Sequence, residues 1–123
     1  MINQILIIRK DLRISKGRII ELCSHASMIF LSYLYTSKPY KEKLKSLGYI
    51  KEVEEWLNEK IQPICFYVEN EDELLDIYEQ ASFEKLIVHI VKNKNRLNFI
   101  CLAIGPHNEK KFEKIIRKLK LYD

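Results

Sequence analysis

The sequence predicts an α/β fold: three layers, a four-stranded mixed sheet with helices on both faces. Two observations carry this. Apolar runs of strand length alternate with longer stretches whose apolar residues recur at three and four positions, which implies parallel crossovers. The last two apolar runs are separated only by Asn93-Lys94-Asn95-Arg96, which reads as a tight hairpin and an antiparallel pair. A chain of 123 residues makes one domain, 1–123, and can bury a real core.

Gln4 to Arg9 is a continuous apolar run between polar residues, so it is expected as an inner strand buried on both faces. Ser15 is placed to cap a helix from Lys16 to Thr36, with Ile19, Leu22, Cys23, Ala26, Ile29, Phe30, Tyr33 and Leu34 at helical spacing. Ser37-Lys38-Pro39 breaks it. Tyr40 to Lys60 is helical but interrupted at Gly48, with Leu44, Leu47, Val53, Trp56 and Leu57 facing inward and Trp56 as a core anchor. Ile61 to Val68 reads as a strand around Pro63. Glu71 to Ala81 is an amphipathic helix whose first turn holds three acids, favourable for the helix dipole. Leu86 to Val91 and Leu97 to Ile104 follow as strands, the latter beside the first strand, and Asn108 to Leu119 as the last helix.

Composition narrows the class. Nearly half the residues are apolar and 31% are charged, a globular balance. No apolar run approaches the roughly 20 residues of a membrane span. The opening MINQILIIRKD places Arg9 and Lys10 after its short apolar core, so it reads as a strand rather than a signal peptide, and a cytoplasmic protein is expected. Cys23, Cys65 and Cys101 sit in apolar segments without paired spacing, as three buried reduced thiols. Neither metal nor cofactor is called for.

Charge is segregated. Residues 1–18 carry five basic and one acidic side chain, residues 19–91 seven and thirteen, and residues 92–123 nine and three. If the first and last strands lie together, Lys10, Arg13 and Lys16 merge with Arg117, Lys118 and Lys120 into a face suited to a polyanion. A solvated lysine-rich surface is the other reading.

Ligands in open α/β sheets favour the carboxyl ends of the strands. There the loop Lys10 to Gly17 delivers Lys10, Arg13 and Lys16, the next helix offers free amides, and Gly17 allows close backbone approach. The second glycine and GK[ST] of a P-loop are absent. Asp11 reads as a ligand or base or, the favoured expectation, as a cap of the loop bonding backbone amides. Arg18 and His25, seven residues apart, share a helix face, and Glu21 lies four before His25, within contact. These three form either a line of guanidinium, carboxylate and imidazole opening on the basic loop, or a satisfied histidine beside two solvated charges. His89 and His107 read as structural or surface residues.

The stretch Ile7 to Ala26, IIRKDLRISKGRIIELCSHA, resembles the opening of the type II (archaeal and eukaryotic) peptidyl-tRNA hydrolase family. That family reads strand, then V-R-x-D-L-x-M-x-x-G-K, then A-A-Q-x-x-H-A on a helix. Arg9, Asp11, Leu12, Gly17, His25 and Ala26 match. CLAIGP, Cys101 to Pro106, and then a charged helix ending in KLKLY, Lys118 to Tyr122, match the family's close. Arg18 replaces the lysine after the glycine, Leu22 the glutamine and Glu21 an alanine. Val91 to Phe99 is shorter than the family's D-A-G-x-T loop and has no carboxylate.

The resemblance implies the same architecture, often as a homodimer, and hydrolysis of the ester joining a peptide to the 3′ ribose of tRNA. Such a reaction needs activated water, a cation or amides for the oxyanion, and a basic surface for the acceptor stem. The family implicates the lysine after the glycine and the loop aspartate. Lys16, Arg18 and His25 are therefore the candidate catalytic residues. Arg18 can stabilise an oxyanion, but a guanidinium that keeps its proton is no base; His25, positioned by Glu21, is the local substitute. The alternative is a catalytically impaired homologue that binds tRNA or another protein on the same fold.

Overall fold

The computed structural model describes residues 1–59, 62–92 and 98–122. Strand β1 (Ile2–Arg9) leads to the long helix α1 (Lys16–Thr36), then α2 (Lys38–Ser46) and α3 (Ile50–Asn58). Next come β2 (Ile64–Val68), α4 (Glu71–Phe83), β3 (Val88–Lys92) and β4 (Phe99–Asn108). A 3-10 turn (Glu109–Phe112), the one-turn helix α5 (Glu113–Ile116) and β5 (Lys120–Leu121) end the chain. The strands form one mixed sheet in the order β3-β4-β1-β2-β5. β1 is central as expected, parallel to β2 (Ile5 opposite Ile64) and antiparallel to β4 (Ile8 opposite Cys101). β3 and β4 are antiparallel. The expected hairpin residues Asn93 to Arg96 lie outside the described residues, as do Ile61 and Leu97 at the expected starts of two strands.

Side-chain alternation in β1 builds the three layers. Ile5 and Ile7 pack with Leu74 and Ile77 of α4, and with Phe112 and Ile115 of the C-terminal segment. Leu6, between them, points to the other face and packs with Leu22 and Ala26 of α1. A third cluster, Ile2, Phe30, Leu44, Val53 and Trp56, ties α2 and α3 under the far end of α1, with Trp56 fully buried as expected. Gly48, between α2 and α3, has φ 76°, a conformation most side chains resist, which is why the helical pattern breaks there.

Three expectations are corrected. Among the described residues the sheet has five strands, not four, because the KLKLY tail continues as a short strand: Lys120 pairs with Tyr67, and the Tyr122 N–H bonds the Cys65 carbonyl. The outer edge of β2 offers free backbone groups, and this tail satisfies some of them. The helix expected from Asn108 to Leu119 is only a 3-10 turn plus one α turn, since β4 runs on through His107 to Asn108 before the chain bends. The Asn108 side chain caps the turn by accepting from the Lys110 N–H. Of the three thiols only Cys101 is fully buried; Cys23 is half-buried and Cys65 exposed. Helix α1 lies over β1, β3 and β4, and Cys65 on β2 faces the same side beyond its cover.

Candidate functional site

β1, β2 and β3 all end at one edge of the sheet, where α1 and α4 begin and β4 starts. Arg9, the last residue of β1, organises this edge. Its guanidinium grips Asp11 with two bonds of 3.0 Å, and its Nη1 donates to the Phe99 carbonyl at 3.1 Å. Glu71, first residue of α4, accepts the Phe99 N–H at 2.8 Å and lies 3.7 Å from Arg9. Asp11 was expected to bond backbone amides; its main partner is Arg9. That charge-assisted pair holds the Asp11 carboxyl below its ordinary range and raises Arg9, although burial opposes both shifts. Arg9 and Asp11 thus fasten the β1–α1 loop to the root of β4. Glu71 read in the sequence only as one of three first-turn acids; nothing local signals its bond to Phe99.

Ser15 caps α1, its Oγ accepting the Arg18 N–H at 3.2 Å. Lys16, Gly17 and Arg18 follow on the exposed first turn. The fold gives Gly17 no structural reason to be glycine. A Cβ there would reach only Ser15 Oγ, at 4.0 Å, whereas at Gly105 it would stand 2.8 Å from the Asn3 carbonyl. The open first-turn amides and the space over Gly17 can admit an anion or a polarised carbonyl.

Arg18 and His25 do project from one side of α1, two turns apart, but they do not form the expected line. Glu21 pairs with Arg18, Oε2 to Nη1 at 2.9 Å, rather than orienting His25. At three residues' spacing it sits as close to Arg18 as to a residue four on, and the opposite charge wins. His25 is exposed and lines a groove beside β3 with Met28, Ser32 and Tyr33; Arg18 is outside this groove. Leu22, where the family pattern has glutamine, is buried among Leu6, Ala26 and Val91 and serves the core.

The basic residues divide into two groups. Lys10 lies over the Tyr67 ring, 4.1 Å from its centroid, and Lys120 is the register partner of Tyr67, so both flank the same corner as the Lys10-to-Lys16 loop. Arg117 instead lines a depression with Asn3, Ile5 and Ile64, near the start of β1 and β2, at the opposite end of the sheet. Lys118 reaches Gln80 near the end of α4, at 2.7 Å. Arg117 thus sits apart from the loop, and Lys118 is engaged with α4. Among the described residues no group of three or more His, Cys, Asp or Glu side chains is placed to hold a metal ion, and no helix is long and apolar enough to cross a membrane.

The two histidines left outside the site are structural. His89, in β3 as expected, bonds the Tyr40 hydroxyl at 2.8 Å, and burial pushes its pKa down to about 4. His107 lies in β4, not at a helix start, and is fully buried against Glu52 and the Ile87 N–H.

Comparison with known proteins matches residues 2–122 to the family described as peptidyl-tRNA hydrolase PTH2. A peptidyl-tRNA hydrolase of Methanococcus maripaludis is 29% identical over 126 residues, covering 98% of this chain and 99% of its own. That of Nanoarchaeum equitans is 28% identical over 127 residues, covering 99% and 100%. A fowlpox virus relative is 32% identical over 121 residues, covering 98% of this chain and 89% of its own. The near-complete match joins the loop, the open first turn of α1 and the β4 close in one pattern: the chain belongs to the peptidyl-tRNA hydrolase PTH2 family.

Proposed function

We infer that this protein is a peptidyl-tRNA hydrolase, cleaving the ester between a peptide and the 3′ ribose of tRNA. The observation that carries this is the family match over residues 2–122, together with an α1 first turn left open and flanked by cations. In this reading the ester carbonyl approaches over Gly17. Charge developing on its oxygen is met by first-turn amides and by the Arg18 guanidinium, which Glu21 holds in place. His25, on the same side of the helix, takes the proton of the attacking water. Lys10, Arg13, Lys16 and Lys120 hold phosphates of the acceptor stem, and Lys16 also borders the reacting ester. Arg117 and Lys118 face elsewhere and could assist only through a longer contact. Such an enzyme acts in the cytoplasm, and a homodimer, implied by the resemblance, is measurable by sedimentation. Release of N-blocked aminoacyl groups from tRNA by the purified protein tests the activity directly.

Two outcomes are expected from this assignment. With four phosphate contacts, tRNA affinity should fall about 10²-fold for a fourfold rise in salt, and Lys10→Glu with Lys16→Glu should flatten that slope by about two. Fluorescence anisotropy measures both, and an affinity indifferent to salt excludes the phosphate assignment. Gly17→Ala should raise stability by up to about 1 kcal/mol, because alanine suits a helix better and its Cβ meets only Ser15 Oγ, at an unstrained 4.0 Å. The same change should lower hydrolysis by obstructing the approach to the amides. Unchanged hydrolysis would remove Gly17 from the site.

A further inference from the structure

Among the described residues strand β3 ends the sheet, with β4 on one side and no strand on the other. Its backbone direction can be assigned. The Ile87 N–H donates to His107 Nε2 and the Ile87 carbonyl accepts from Gly105, so both groups of Ile87 turn towards β4. By strand alternation His89 and Val91 do the same, while Val88, Ile90 and Lys92 turn theirs outward. A groove of about 530 Å³ runs along this edge, walled by Met28, Ser32 and Tyr33 of α1 on one side and Tyr78 of α4 on the other. Met28 and Tyr33 remain largely exposed there. The edge has few of the usual guards: VHIVK contains no proline, and its one charge is the terminal Lys92.

We propose that the free edge of β3 binds the peptide part of the substrate as an added strand. This rests on the hydrolase reading above. β3 and β1 are both antiparallel to β4 and so run the same way, which brings the Lys92 end of β3 to the edge where α1 begins. A peptide added parallel to β3 points its esterified C-terminal residue towards that edge, with His25 beside its path. Recognition through main-chain bonds suits a substrate whose peptide differs from one molecule to the next, and the groove gives room to varied side chains. The five residues of β3 offer space for about three or four peptide residues at roughly 3.3 Å each.

The test compares kcat/KM on N-acetyl-aminoacyl-tRNA and N-acetyl-tetrapeptidyl-tRNA. The longer substrate should be favoured about tenfold through KM, the gain of one to two net hydrogen bonds. Ile90→Pro removes an outward N–H and spares the ladder to β4. It should abolish the advantage while leaving the short substrate unaffected. Because proline carries a folding risk, a tetrapeptide N-methylated at alternate amides is tested on the unaltered protein and should lose the advantage too. Turnover of the short substrate with no length preference overturns the proposal and leaves the hydrolase reading standing. If neither substrate is turned over, that reading fails, and the edge is tested by free N-acetyl-tetrapeptide amide. Shifts of the Val88 and Ile90 amide resonances then support peptide addition; unmoved resonances overturn it. A dimer that protects these amides from exchange without peptide also overturns it, assigning the edge to a second copy.

Discussion

Replacing His107 by alanine is expected to cost about 3–5 kcal/mol, a large share of the roughly 5–15 kcal/mol that holds a domain together. The ring is fully buried between Tyr49, packed edge-to-face with ring centroids 4.5 Å apart, and Phe112. Its Nε2 accepts the Ile87 N–H at 2.8 Å, so that nitrogen carries no proton, and Nδ1–H donates to Glu52 at 3.0 Å. Glu52 also accepts the Asn108 N–H and the Lys111 ammonium, both at 2.6 Å. One carboxylate and one imidazole therefore join α3, the entry to β3 and the end of β4. Alanine leaves a cavity, an unpaired buried N–H and a carboxylate short of a donor. His107→Phe keeps most of the volume and isolates the polar loss, expected at about 1–3 kcal/mol. Urea unfolding of both variants measures the difference; a cost below about 1 kcal/mol for alanine would refute the network's role.

The same ring sets an acid limit. Burial lowers the His107 pKa from 6.5 to about 4, outweighing the pull of Glu52 in the other direction. Between these values the unfolded chain binds more protons than the folded one, so stability rises with pH there. The contribution is fully present above pH 6.5 and is lost as pH falls towards about 4. From about pH 7 to about pH 5 the loss from this ring is about 2 kcal/mol. His89, lowered for the same reason, adds to it, and Glu52, held below its ordinary range despite burial, contributes only in stronger acid. His107→Phe should shrink the loss between about pH 7 and about pH 5 by roughly the His107 share.

The alternation of apolar runs and helical stretches was enough to order the main elements. Ile5, Leu6 and Ile7 are buried on both faces because β1 is central, and an uninterrupted apolar run is the signature of that position. Leu22, Ala26 and Phe30 recur at four because only one stripe of α1 meets the sheet. The tail departs from the expected helix because its charges at helical spacing resemble one, while the alternation in KLKLY is too short to outweigh them; only the free edge of β2 decides. At the site, sequence spacing showed that Glu21 could reach His25 and could not show that Arg18 would take it first. Asp11 offered no sign that its partner was Arg9, two residues earlier across a turn. Glu52 and His107 are 55 residues apart, and such long-range polar pairs leave no periodic trace.

Arg18→Ala is expected to lower kcat/KM by about 10²-fold, the effect of removing one oxyanion donor. The fold should barely notice. Arg18 and Glu21 are both more than half exposed, and an exposed pair at this spacing contributes a few tenths of a kcal/mol. Arg18→Lys returns the residue of the family pattern and should retain or raise activity, because an ammonium can also meet the oxyanion. Glu21→Ala should change the rate only a few-fold, since its partner is the guanidinium and not His25. His25→Ala should lower kcat with tRNA affinity unchanged, as befits a group acting on water rather than on phosphate. Hydrolysis of N-blocked aminoacyl-tRNA, measured alongside tRNA anisotropy, separates these outcomes. Full activity in Arg18→Ala removes the proposed site. No turnover by the natural protein or by Arg18→Lys, with tRNA still bound in a salt-sensitive way, identifies a binding protein that has kept the basic corner of the fold and lost the reaction.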